Sequence, residues 1–319
     1  MARPVQSPRF GAVITAMVTP FAEDGSLDVD GAAGLARWLA GHGSDALVLA
    51  GTTGEGPVLA DDERADLWRA VREAVTIPVI AGAGTNDTRH SVELVALAQD
   101  VGVDAVLAVT PYYSRPSQTG ISQHFRALAA ATSLPVLLYD IPVRTGRRIA
   151  GDTILRLALE VPNIVGVKDA AGDVAGSARL IASAPEHFEL YSGEDGLTLP
   201  LLAVGAVGVV SVASHWAGET MADMVAAFAR GDVGAARARN AQLIESFEFE
   251  SSEEFPNPLP AKAACRALGL RVGQCRPPMG PAPSALDERA SAVLAHLGGR
   301  DVPAGGRPAA MGSSAPARG

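Results

Sequence analysis

Eight short, mainly apolar runs, several of them rich in β-branched residues and each followed by a polar or glycine-rich turn and an Ala/Leu-rich amphipathic stretch, recur along this 319-residue chain. They occupy residues 13–18, 46–50, 77–81, 105–109, 135–139, 164–168, 188–192 and 207–212. Runs that are apolar throughout belong to strands buried on both faces, and strands that alternate with helices pair in parallel. Acidic residues mark several helix starts, where they meet the positive end of the helix dipole. Asp61-Asp62-Glu63 opens a stretch reaching residue 74, Asp152 one reaching 160, and Asp173 one reaching 183. Eight such units fit a closed (β/α)8 TIM barrel better than an open doubly wound sheet, and no GxGxxG follows the first run. The expected barrel covers residues 10–230. Helical stretches at 231–247, 260–268 and 283–297 form a small C-terminal helical appendage within 231–299. The Gly/Pro/Ala/Ser-rich residues 300–319 read as a disordered tail.

Composition narrows the partners. A formal net charge of −9 argues against nucleic acid or an anionic membrane, both of which need a basic face. The N-terminus has no apolar signal region and no segment suits a bilayer span, so the expected compartment is the cytoplasm. Cys265 and Cys275 are too few for a disulfide scaffold and lack metal-type spacing, and the six histidines show no HxxH or HExxH pattern. A metal-dependent aldolase therefore has little support, and the expectation is no metal and no cofactor.

In a barrel of this kind the active site lies at the C-terminal ends of the strands. The sixth run, rich in β-branched residues, closes on Lys168 rather than on another Val or Ile. Apolar surroundings disfavour an ammonium, and a neutral amine can attack a carbonyl to form a Schiff base. A lysine just past a strand end, with its head in water, is the ordinary alternative. Tyr139 closes the fifth run, so the two side chains can converge. After the second run, Gly51-Thr52-Thr53-Gly54-Glu55-Gly56 offers hydroxyls and backbone N–H groups suited to a carboxylate or phosphate, although a plain tight turn explains it too. Tyr112-Tyr113 sits between prolines, with one tyrosine accounted for by packing. Arg144 can grip a carboxylate bidentately or stand solvated in its loop. Glycines at Gly193 and Gly208 permit close approach to a ligand.

In this order and at strand ends, GTTGE from Gly51, TPYY from Thr110, YDIPVRTG from Tyr139, GVKDA from Gly166 and SGED from Ser192 resemble the dihydrodipicolinate synthase and N-acetylneuraminate lyase superfamily, on its synthase side. The resemblance spans residues 10–297. It implies a lyase that condenses pyruvate with L-aspartate 4-semialdehyde to 4-hydroxy-tetrahydrodipicolinate, the first committed step of diaminopimelate and lysine biosynthesis. The chemistry implied is class I, without an external cofactor. By the same resemblance Lys168 forms the imine with pyruvate and Tyr139 shuttles protons, with Thr53 and Tyr113 as its relay partners, Tyr113 arriving from a neighbouring subunit. Thr52 and Thr53 cradle the pyruvate carboxylate, Arg144 binds that of the semialdehyde, and Gly193 and the Val210 carbonyl line the site. The implied assembly is a homotetramer, a dimer of dimers. Alternatives are a sister pyruvate-dependent aldolase, such as a neuraminate lyase or a keto-deoxy-sugar aldolase or dehydratase, and a non-catalytic keto-acid-binding barrel. The arginine of Arg144-Thr145-Gly146 has the synthase form. Feedback-inhibited members bind lysine through a histidine after the GTTGE loop and a glutamate on the next helix. Asp61 and His90 stand there in this chain, with Arg64 near by, so weak or no inhibition by lysine is expected. Gly56-Pro57 departs from the small residues more usual in that loop.

Overall fold

The computed structural model describes residues 7–250 and 252–298. Among them, strands β1 (Val13–Ala16), β2 (Ala46–Leu49), β3 (Val79–Gly82), β4 (Ala105–Val109), β5 (Val136–Asp140), β6 (Ile164–Asp169), β7 (Glu189–Ser192) and β8 (Gly208–Ser211) pair in parallel in chain order, and β8 returns to β1. This is the expected (β/α)8 TIM barrel. The helices are α1 (Val29–Gly41), α2 (Asp61–Ala74), α3 (Thr88–Val101), α4 (Gln118–Ala130), the short α5 (Pro142–Thr145), α6 (Gly151–Glu160), α7 (Val174–Ser183), the short α8 (Thr198–Ala203), α9 (Ser214–Ala229), α10 (Val233–Phe249), α11 (Leu259–Ala267) and α12 (Ser284–His296). Asp28, Asp87, Ser117, Asp173 and Asp232 cap α1, α3, α4, α7 and α10 by accepting backbone N–H groups. α9 begins five residues before the expected Glu219, because Ser214–Trp216 form a turn held by backbone bonds to Val212 and Ala213, a signal that apolar spacing does not carry. The stretch 300–319, read as a disordered tail, lies outside the described residues.

The apolar strands divide their side chains between two cores. Ile14, Val48, Ile80, Leu107, Leu137 and Val210 fill the barrel interior. Val13, Leu47, Val79, Val106, Leu138 and Val209 face outward into the layer beneath the helices. This two-sided burial explains why the runs are apolar along most of their length.

One irregularity orients the site. The β5–β6 register pairs Val136 with Ile164 but Leu137 with Gly166, so β6 carries one extra residue, a β-bulge. Ile164 packs outward and Val165 inward, and a regular strand would continue by turning Val167 in and Lys168 out. With the extra residue, Val167 packs in the outer layer instead, and Lys168 pairs with the inward Tyr139 on one side and the inward Tyr191 on the other. Glycine is required at the bulge: a Cβ on Gly166 would lie 2.4 Å from the Glu189 carbonyl oxygen and 2.9 Å from Leu137 Cδ2.

The C-terminal helices are not a separate body. α10 packs on α9, and α11 packs on both α9 and α12. Lys262 on α11 is fully buried, with its ammonium 2.7 Å from Glu55 Oε1, donating to the Gln274 carbonyl and lying over the Phe21 ring. Burial pushes Lys262 below its ordinary pKa, with Glu55 opposing. Nearby Cys265 and Cys275 are free thiols pushed up to about 12 by burial.

Gly166→Ala is expected to lower unfolding free energy by about 1–3 kcal/mol, the cost of forcing an atom into a filled core. Gly34→Ala on α1, where an added Cβ meets nothing within 4 Å, is expected to raise it by up to about 1 kcal/mol. Urea titration of both variants measures the contrast.

Candidate active site

The bulge brings Lys168 inward at only 5% exposure, with its ammonium nitrogen 4.3 Å from the centre of the Tyr139 ring. Tyr139 is buried at the end of β5. Its carbonyl accepts both the backbone N–H and the hydroxyl of Thr110, so the ends of β4 and β5 are tied. On the other side of Lys168 the chain turns at Gly193, where a Cβ would lie 2.9 Å from Lys168 Cγ. The turn therefore lies directly against the lysine stem. Val210, also buried, contributes to the interior wall from β8.

The loop after β2 is drawn tight. Ala50 and Glu55 adopt left-handed backbone angles (φ 54° and 55°), and an added Cβ on Gly56 would lie 2.3 Å from the Ala50 carbonyl oxygen. The fold holds this loop from its far end of the chain. Lys262 pairs with Glu55, and the Arg276 backbone N–H donates to the other Glu55 oxygen. The Arg276 guanidinium donates to the Val58 and Gly25 carbonyls and ion-pairs with Glu63, holding that carboxyl below its ordinary pKa. Thr53 is buried and its Oγ1 accepts a hydrogen bond of 3.0 Å from the Asn257 amide. Because the oxygen accepts, the Thr53 proton is left to donate elsewhere.

Thr52, Tyr139, Arg144, Tyr112 and Tyr113 line one cavity of about 410 Å³ above the strand ends. Arg144 projects from α5, with one terminal nitrogen 3.4 Å from the Asn257 carbonyl. Asn257 thus contacts both the loop threonine and the cavity arginine. Partial desolvation and neighbouring Asp195 raise the Glu194 carboxyl above its ordinary pKa, while Lys168 and Arg144 pull it back. Tyr113 stands apart: it is 90% exposed with a left-handed backbone (φ 68°). Among the described residues no hydrogen bond joins Tyr139, Thr53 and Tyr113, so a single chain brings together the lysine, the tyrosine and the cavity but not the relay that the resemblance implies. Nor do the described residues contain a His, Cys, Asp or Glu group able to hold a metal.

Asn257, Lys262 and Arg276 have no counterpart in the sequence reading. Asn257 lies in a proline-flanked segment without catalytic spacing, and the signal it did carry was only that of a rigid turn.

The model of the Dihydrodipicolinate synthetase family matches residues 9–297. The 4-hydroxy-tetrahydrodipicolinate synthase of Moorella thermoacetica is 49% identical over 294 residues, covering 91% of this chain and 99% of that protein. The solved dihydrodipicolinate synthase DapA-2 of Bacillus anthracis superposes with a TM-score of 0.86 at 43% identity, covering 90% of this chain and 98% of its own. The enzyme from Cyanidioschyzon merolae, solved with lysine bound, gives a TM-score of 0.88 at 42% identity, covering 91% and 98%. With barrel, strand-end residues and sequence in agreement over nearly its whole length, this chain belongs to the dihydrodipicolinate synthetase family.

Proposed function

We propose that the chain condenses pyruvate with L-aspartate 4-semialdehyde to give 4-hydroxy-tetrahydrodipicolinate, with Lys168 as the Schiff-base residue. The observation that carries the residue assignment is the inward, buried amine of Lys168 lying against Tyr139 beside a cavity that also receives Arg144. The neutral amine attacks the keto carbon of pyruvate, and loss of water leaves an iminium. The iminium draws electrons from the methyl group, which gives up a proton to form an enamine. The enamine carbon adds to the aldehyde of the second substrate. That substrate's own amine then attacks the imine carbon, closing the ring and expelling the Lys168 amine. Tyr139 carries protons between these steps, with Thr53 and Tyr113 as relay partners, the latter from a neighbouring subunit. Its exposure on the single chain supports that placement.

Thr52 and Thr53 receive the pyruvate carboxylate, to which Thr53 directs the proton that Asn257 leaves free. Arg144 holds the semialdehyde carboxylate with its guanidinium fork. Gly193 leaves room beside the lysine for the adduct, and Val210 lines the interior wall from β8. The protein works as a homotetramer built from dimers, in the cytoplasm.

Pyruvate with borohydride is expected to leave a reduced adduct on Lys168, located by peptide mapping. Tyr139→Phe is expected to lower kcat much more than it raises the pyruvate KM; an unchanged kcat removes Tyr139 from the relay. Regulation by lysine is expected to be weak. The Asp61 carboxylate is engaged by His90 at 3.0 Å, and the buried Arg64 guanidinium donates to the Gly82 and Gly56 carbonyls. An activity titration with L-lysine checks this, and half-inhibition at submillimolar concentration contradicts it.

A further inference from the structure

Two buried carboxyls that the chemistry above does not use meet beneath the Gly193 turn. Asp195, 2% exposed, lies just beyond Glu194, and its Oδ2 accepts the Ser211 hydroxyl and the backbone N–H groups of Val212 and Ala213 at 2.7–2.9 Å. It thereby ties the β7 turn to the end of β8. Its other oxygen, Oδ1, has no donor among the described residues. Glu250, 6% exposed, follows the last turn of α10, the helix that packs on the short turn opening at Asp195, so the two carboxyls are neighbours in the interior. Its Oε2 is likewise without a donor among the described residues.

Two ionised carboxylates cannot satisfy one another, because each only accepts. One shared proton satisfies both, since a protonated carboxyl donates to its ionised neighbour. The surrounding charges favour keeping it. Glu194 on the same turn adds negative charge, and burial drives the Glu250 carboxyl well above its ordinary pKa. From α9, His215 faces the pair, but burial brings it down to about 4, and its ring is held by the Val18 N–H and the Val212 carbonyl. It therefore stays neutral and supplies no counter-charge. From α12, the Arg289 guanidinium lies over the Phe249 ring, 5.9 Å from its centre.

We propose that Glu250 is a positioning residue: its carboxyl proton, shared with Asp195, latches the end of α10 to the turn that carries Gly193 and Glu194 past Lys168. The inference rests on Lys168 as the imine residue, and it adds a proton that holds the site without entering the reaction.

The test compares wild type with Glu250→Gln, which keeps a donor without a titratable proton, and Glu250→Ala, which removes the donor. The unfolded carboxyl ionises above its ordinary value of 4.5, whereas the folded one holds its proton, so wild type loses stability as pH rises from there toward the folded value. Glu250→Gln lacks that loss. Its melting temperature relative to wild type is therefore expected to climb as pH rises above the ordinary carboxyl value of 4.5, until the folded carboxyl itself ionises. At pH 7, Glu250→Gln is expected to keep pyruvate KM and borohydride trapping within roughly twofold of wild type, and Glu250→Ala to raise that KM roughly tenfold, the scale of one buried hydrogen bond lost. A pH-independent melting difference, or a Gln variant that traps pyruvate as poorly as the Ala variant, overturns the proposal. If wild type itself traps no pyruvate at Lys168, the Schiff-base reading fails, while the melting series still decides whether the shared proton exists.

Discussion

One extra residue in β6 decides which way Lys168, the proposed imine residue, faces. Side chains alternate along a strand without exception, so the only way to turn a lysine inward where the preceding pattern would turn it outward is to break the count. The break falls between Ile164 and Gly166, while Val167 to Asp169 pair regularly with β7. Neighbouring features follow from it. Tyr139 can lie against the amine only because its register partner is Lys168. Gly193 must be bare because the stem of that lysine runs past it, and Gly166 must be bare because the bulge presses it against β7.

Around this lysine the barrel uses charge as a tool of direction. Lys262 and Glu55 are both buried, and a pair in that setting gives back in mutual attraction much of what desolvation costs. What it does fix is where Glu55 points, and with it the backbone of the threonine loop. Arg276 extends the same arrangement by spanning Glu63, Val58 and Gly25, so that α2 and two loops share one guanidinium. On the opposite side of the barrel mouth Asp195 does similar work with backbone donors. The catalytic face is thus braced on both flanks by groups that stand behind it.

Much of this was open to reading from the chain itself. The apolar runs located the strands closely, and Asp61 marked the start of α2. Lys168 and Tyr139 stood at adjacent strand ends, where a barrel brings them together. The bulge was not readable, because in Ile164-Val165-Gly166-Val167 every residue suits either face and nothing local says which one is extra. Asn257, Lys262 and Glu250 were not readable for a different reason. Each acts across a large sequence separation on a partner that carries the recognisable pattern, and each sits where its own neighbours suggest only a turn or a helix. Tyr113 was named from its motif, and its exposure depends on loop backbone angles that no periodicity encodes.

The long reach of these braces also bears on how the molecule comes into being. Synthesis runs from the N-terminus, and domains begin to fold as they emerge. Thr53 is therefore made early, but the amide that holds it is added 204 residues later, and the Arg276 N–H that meets Glu55 is 221 residues away. By then all eight strands have left the ribosome's active centre. A nascent chain can thus own a closed barrel before it owns an ordered threonine loop, and the stretch from Asn257 to Arg276, made after the barrel, is what draws that loop tight.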